Sequence, residues 1–193
     1  MIDNGIVYVR DELMPVLTSV EGCVGLSMLV DRIGGRCIAT SSWETEAAMR
    51  ASESEVRPLR DRLIAAFGGA SPAVAEWEVS MMHRAHLSME GSWARASWLR
   101  GDPLTIDSAI EAFRAIVPTV EGLPGFCSAS LLTNRDTGRA VSTIVYDDAD
   151  AVAQTRERAN ALRTRLAEQT GAEVLEVAEF EVALAHLRVP EMA

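Results

Sequence analysis

The sequence predicts an α+β protein made of two tandem ferredoxin-like (β-α-β-β-α-β) modules, residues 1–88 and 89–193, the first lacking its first strand. Three observations carry this. The chain repeats itself without a gap at a shift of 103 residues: Pro15 falls on Pro118, Gly22 on Gly125, Arg32 on Arg135, Gly35-Arg36 on Gly138-Arg139, Leu59-Arg60 on Leu162-Arg163, and His83 on His186. About twenty of roughly seventy aligned positions are identical, where chance gives about five. In the second half the apolar period alternates between two and 3.6 in the order strand, helix, strand, strand, helix, strand, which is a split βαβ unit. Glycine-bearing loops stand at equivalent places between the paired strands of both halves.

The second half is the fuller copy. Trp93 to Leu99 alternates and reads as a strand, broken by Gly101-Asp102-Pro103. Ile106, Ile110, Phe113, Ile116 and Val117 follow at helical spacing, and Pro118 with Gly122-Leu123-Pro124-Gly125 ends that helix. Phe126–Thr133 and Arg139–Tyr146 are strands around the Asn134–Gly138 loop, whose glycine can take positive φ. A helix from about Asp148 to Gln169 stops at Gly171, and Val174–Leu187 alternates as the last strand.

The first half repeats this from the helix onward. Ile6, Val9, Leu13 and Met14 share a helix face. Val24–Val30 and Arg36–Trp43 are the hairpin strands, Thr45–Phe67 is a helix kinked or split at Pro58, and Ala73–His86 is the last strand. A counterpart of Trp93–Leu99 is missing. In this topology that strand is central, so its loss leaves backbone groups unpaired at about 1–3 kcal/mol each if buried. Three explanations stand: a late start, a strand supplied from elsewhere (another chain included), or rearrangement around the gap.

Composition narrows the function classes. A net charge of −10 argues against nucleic acid and anionic membrane surfaces as partners. All 18 basic residues are arginine, which reads as codon bias. No apolar run reaches the length of a membrane span, and Met1-Ile2-Asp3-Asn4 does not open like a signal peptide, so the expected location is the cytoplasm. Cys23, Cys37 and Cys127 form no CxxC and are expected to be free, largely buried thiols. No HExxH, P-loop, GxGxxG before a helix, zinc spacing or GxSxG is present.

The string Gly22-Cys23-Val24-Gly25-Leu26-Ser27-Met28-Leu29-Val30-Asp31-Arg32, with Gly35-Arg36 and Thr40-Ser41-Ser42-Trp43-Glu44, resembles the antibiotic biosynthesis monooxygenase family. So does Pro124-Gly125-Phe126 leading to Leu131-Leu132, Asn134-Arg135, Gly138-Arg139 and Tyr146-Asp147. The resemblance covers nearly the whole chain, once per half. It implies a fused pseudo-dimer of the dimeric α+β barrel type, in which two ferredoxin-like sheets pack face to face. It also implies oxygenase-like chemistry without a cofactor, in which the deprotonated substrate itself activates oxygen. Haem-degrading relatives are expected to use an asparagine on the first strand, which the second half lacks.

The candidate site residues follow from placement. His83 and His186 end equivalent apolar strand faces (Trp77, Val79, Met81 and Phe180, Val182, Leu184), which suits a general base beside a cavity. The plainer reading is a histidine hydrogen-bonded where the strand leaves the core. Trp43 and Tyr146 stand at equivalent strand ends, as substrate contacts or as rim aromatics. His86 lies on the opposite strand face, and the arginines beside the hairpin loops read as solvated or paired with acids. The leading expectation is cofactor-independent oxidation of a small aromatic or polyketide-like molecule, with His83 or His186 as base and Trp43 or Tyr146 as contacts. The competing one is a non-catalytic ligand-binding or assembly module. A homo-oligomer fits either, and neither metal nor cofactor is expected.

Overall fold

Proline and polar punctuation shape the first part of the chain. The computed structural model describes residues 2–68, 72–187 and 189–190. Two helical pieces, α1 (Ile2–Tyr8) and α2 (Met14–Leu17), are joined by a π-helical turn at Val9–Leu13. Pro15 has no amide hydrogen, and its ring crowds the carbonyl four residues back, so the helix widens just upstream. The hairpin β1 (Cys23–Asp31) and β2 (Arg36–Trp43) turns where the Asp31 carboxylate accepts the Ile33 and Gly34 amides at 3.0 and 2.8 Å. Cys23 pairs with Trp43 and Cys37 with Val30, so the two thiols are not opposite each other.

The helix expected over 45–67 divides, but not at Pro58. It forms α3 (Glu46–Ala51) and α4 (Glu53–Ala66), with Pro58 inside α4. The break is at the buried Ser52, whose hydroxyl donates to the Met49 carbonyl at 2.8 Å and so competes with the helical ladder. Val9, Leu13, Leu17, Leu26, Met28, Val30 and Leu59 form the core here, joined by Ala183 and Leu184 from the C-terminal strand. These residues make one compact unit, the chain up to Val74 with Val182–Val189.

The second unit holds Ala75–Glu181. Its elements are β3 (Glu78–Arg84), β4 (Trp93–Arg100), a short 3-10 turn, α5 (Ile106–Glu121), β5 (Phe126–Asn134), β6 (Arg139–Tyr146), α6 (Ala149–Thr170) and β7 (Glu173–Leu187). The strands lie in the order β7-β4-β6-β5-β3, antiparallel throughout. Four of them are the ferredoxin-like sheet read from the second repeat, with β4 central. The fifth, β3, is the end of the first repeat, added on the outer edge of β5. Past Glu181, β7 belongs to the first unit, beside β1.

Two boundaries differ from expectation. The strand expected over Ala73–His86 spans only Glu78–Arg84, and residues 72–77 carry no ladder. Their counterparts on β7 pair with β4, and the described first repeat has no strand equivalent to β4. In addition, α5 runs through Pro118 to Glu121, and Gly122 caps it by donating to the Pro118 carbonyl. A buried stripe of Ile106, Ile110, Phe113, Val117 and Val120 holds α5 on the sheet, which outweighs the one amide that proline removes.

At the other end α6 starts on Asp148, whose carboxylate accepts the Ala151 amide at 2.7 Å, and stops at Gly171, φ +67°. No helix among the described residues is long and apolar enough to cross a membrane.

Candidate functional site

Alternation along the strands builds a cavity in the second unit. Arg95, Ser97 and Leu99 of β4 lie opposite Ile144, Ser142 and Ala140 of β6, and all six line one face. Phe113, Ile116 and Val120 of α5 and Leu162, Arg163 and Leu166 of α6 line the other. The space between has a volume of about 100 Å³ and is mostly apolar.

Its polar groups are few and incompletely paired. Arg95 is only 3% exposed. Its Nη2 donates to the Val152 carbonyl at 2.6 Å and to Glu179 Oε1 at 3.0 Å, and Nε donates to the same carboxylate oxygen at 3.2 Å. The remaining nitrogen, Nη1, is buried with no hydrogen-bond partner. The Tyr146 hydroxyl is in the same condition, and the guanidinium carbon of Arg95 lies 5.7 Å from the Tyr146 ring centroid. Arg163 also lines the space, and burial, followed by the charge of Arg95, pushes its pKa below the usual arginine value. The cavity therefore offers an apolar body and a partly neutralised cationic end, and two of the residues lining it each carry a buried donor without a partner.

The structure places the residues singled out in the sequence as follows. Tyr146 lines the cavity. His83, on β3, is held by Glu121 at 3.2 Å from Nε2 and stacks on Phe126 at 6.0 Å, and it does not line the cavity. In the first unit Trp43 packs against the core, its indole N–H donating to the Ser41 hydroxyl at 3.2 Å, and His186 is half-buried. Cys127 is fully buried, and burial, then the Asp147 carboxylate, push its thiol up to about 12, away from nucleophilic use. Arg135 is paired with Glu78 and Asp107, each at 2.7 Å.

No family model matches the sequence. Over 192 residues, 99% of this chain and 85% of the relative, it is 52% identical to Uncharacterized protein Rv2557 of Mycobacterium tuberculosis. Over 193 residues it is 51% identical to Uncharacterized protein Rv2558 of the same organism, covering 99% of this chain and 81% of that one. The chain belongs to the same family as these two proteins. Among solved structures, the anthrone oxidase-like protein superposes with a TM-score of 0.64 at 14% identity, covering 92% of this chain and 85% of that one. A Listeria monocytogenes ferredoxin-fold protein related to antibiotic biosynthesis monooxygenases gives 0.54 at 10% identity, covering 91% and 87%. At such identities the likeness is one of fold: this family member is α+β with the ferredoxin-like fold of monooxygenase-related proteins.

Within this family member, Glu179 keeps the cationic end of the cavity from being fully charged. It accepts from Arg95 and, at 2.7 Å, from Arg156 Nη2. Burial raises its pKa, but hydrogen bonds from Arg156 and Arg95, with their charges, outweigh burial and hold the carboxyl below the usual range. A depressed folded-state pKa contributes stability that is present above the unfolded value of about 4.3 and is lost as pH falls through the folded value. The stability gap between wild type and Glu179→Gln, measured by urea unfolding, is therefore expected to shrink as pH drops from about 5 towards 3.

Arg95 and Glu179 were not singled out in the sequence, and Arg163, which the helix pattern places on a solvated face, lines the cavity instead. The signal was present for Arg95: a charge flanked by Ala94 and Ala96 in an alternating strand sits on the inward face only if a buried partner or ligand meets it.

Proposed function

We propose that the cavity of the second unit binds a small, largely apolar molecule carrying one ionisable oxygen, of the phenol, enol or carboxylate class. The observation that supports this is the pair of buried, unpartnered donors, Arg95 Nη1 and Tyr146 OH, on residues that line an apolar cavity. An unsatisfied buried polar atom costs about 1–3 kcal/mol, and an oxyanion received between the two would recover it.

A second reading is favoured by the fold shared with the anthrone oxidase-like protein. In it the bound molecule is aromatic or polyketide-like and is oxidised without a cofactor. Arg95 and Arg163 stabilise its deprotonated form, and the resulting carbanion reacts with O2. An activated CH2 becomes C=O, with one oxygen atom in the product and the other in water, which balances without an external reductant. Neither His83 nor His186 lines this cavity, so neither is assigned as its base.

Tyr146→Phe separates the binding reading from a purely structural role. Removing an unsatisfied buried hydroxyl is expected to raise the stability of the free protein by about 1 kcal/mol, or about 2–4 °C in Tm. The same change should weaken binding of a phenol probe, sized to the cavity, about tenfold by titration calorimetry. If the variant is both less stable and binds equally well, the hydroxyl has another role and the binding reading fails. Oxygen uptake by the complex then decides the second reading: uptake that is lost together with binding in Arg95→Met supports it, whereas binding without uptake leaves a ligand-binding module.

A further inference from the structure

A second cluster stands apart from the cavity lining, and all of its members lie in the second unit. Cys127 occupies a bulge in β5, where the ladder to β6 slips between Phe126 and Ser128, so its side chain is aimed independently of the strand alternation. Its carbonyl accepts the Ala85 and His86 amides at 2.9 and 3.3 Å, which fixes the loop after β3 against it. Two residues earlier, the Gly125 carbonyl accepts the Asp147 amide at 2.8 Å. One short turn thus anchors three donor side chains. Cys127 Sγ lies 3.3 Å from Asp147 Oδ1, His86 Nε2 lies 3.5 Å from the same oxygen, and all three donor atoms fall within 4.8 Å of one another.

We propose that His86 Nε2, Cys127 Sγ and Asp147 Oδ1 form a site for a zinc-class divalent ion with a fourth position open to solvent. Tetrahedral zinc, with bonds of about 2.3 Å to sulfur and about 2.0–2.1 Å to nitrogen and oxygen, sets ligand-to-ligand edges of about 3.4–3.6 Å, close to the 3.3 and 3.5 Å that separate Asp147 Oδ1 from Cys127 Sγ and His86 Nε2. His86 Nδ1 meets the Leu87 carbonyl at 3.1 Å and must donate to it, leaving Nε2 with its lone pair free. That outer hydrogen bond is the arrangement metal-bound histidines use. A thiolate, an imidazole and a carboxylate together suit zinc better than the all-oxygen preference of calcium or magnesium. Cys127 is buried while His86 and Asp147 are exposed, so an ion would enter from the solvent side.

The first repeat acts as an internal control. There β1 has the same slip, between Cys23 and Gly25, and the Glu44 amide donates to the Gly22 carbonyl at 2.8 Å. The residue at the Cys127 place is Val24, which offers no donor. The scaffold does not need the thiol, so the donor set is an addition to a duplicated backbone. A nucleophilic triad of the same residue types would put the imidazole between thiol and carboxylate. Here the carboxylate oxygen contacts both other groups.

The test is titration of the untagged, metal-stripped full chain with Co2+, followed by absorption. The expected result is one equivalent bound, with a thiolate-to-cobalt charge-transfer band in the near ultraviolet, strong visible bands of a tetrahedral ion, and loss of both on adding Zn2+. Cys127→Ser should abolish the charge-transfer band, and Asp147→Asn should weaken binding at least about tenfold. His86→Gln, on an exposed loop, should do the same without disturbing the fold, so the proposal stays testable if the buried cysteine variant does not fold. Absence of the charge-transfer band in the wild-type chain, or Co2+ affinity unchanged in His86→Gln, overturns it.

Discussion

Replacing Arg95 with methionine is expected to destabilise the protein by about 2 kcal/mol and to reduce binding of an oxyanion-bearing ligand about 100-fold. The stability loss arises because the guanidinium holds the Val152 carbonyl and Glu179 together beneath α6. Removing one partner of a buried ion pair commonly costs 3–5 kcal/mol, but two features lower that here. The Glu179 side chain is 27% exposed and keeps Arg156, and the Val152 carbonyl keeps the Thr155 hydroxyl at 3.1 Å. Methionine also fills much of the vacated volume with apolar atoms.

The binding loss has a different origin. Nη1 gives nothing to the free protein, so its hydrogen bond to a ligand would appear entirely in affinity. A charge-assisted bond of about 1.5–3 kcal/mol corresponds to roughly 10- to 150-fold. Urea unfolding and calorimetric titration of the same preparations check the two effects separately. Full-strength binding in Arg95→Met would show that the ligand's oxygen lies elsewhere.

Much of this fold is written in short-range pattern. Strand alternation from Trp93, the helical spacing from Ile106 and the glycines at 138 and 171 each state a local preference that the tertiary structure does not overrule. The misses have different causes, one a strand partner distant in sequence and the other a single local side-chain bond. Residues 74–79 copy the strand pattern of 177–182, yet a strand needs a neighbour, and only Glu78–Arg84 finds one, on β5. Ser52 breaks a helix through one side-chain bond to the Met49 carbonyl, while the more conspicuous Pro58 is accommodated.

The candidate site was legible in the same uneven way. Tyr146 stood out as an aromatic at a strand end, and it lines the cavity. His83 and His186 drew notice because both repeats keep them, but repetition marks scaffold as readily as chemistry. Arg95 has no counterpart among the described residues of the first half, which hold no strand equivalent to β4. His86, Cys127 and Asp147 have no motif spacing, since a bulge and two backbone hydrogen bonds, rather than one helix or hairpin, gather them.

Gly138→Ala is expected to cost about 3 kcal/mol, more than any other single-methyl addition at the hairpin loops. Gly138 ends the loop between β5 and β6 with φ +66°, a region that costs an L-residue about 1–2 kcal/mol. Conformation alone would make Gly35→Ala, at the equivalent loop with φ +68°, equally harmful. The surroundings separate the two. A Cβ on Gly138 would collide with the carbonyl oxygen and carbon of Gly101 and touch Pro103, whereas one on Gly35 meets nothing within 4 Å. The Gly138 contact cannot relax through a side-chain rotation, because the Gly101 amide donates to the Gly138 carbonyl at 2.8 Å and ties the two backbones together. Overpacking of this kind adds about 1–3 kcal/mol. Urea unfolding of the two variants should therefore give a loss for Gly138→Ala about twice that for Gly35→Ala. Equal losses would mean that the approach of Gly101 is not rigid. In that case the mouth of the cavity, which Gly101 and Gly138 both line, can open.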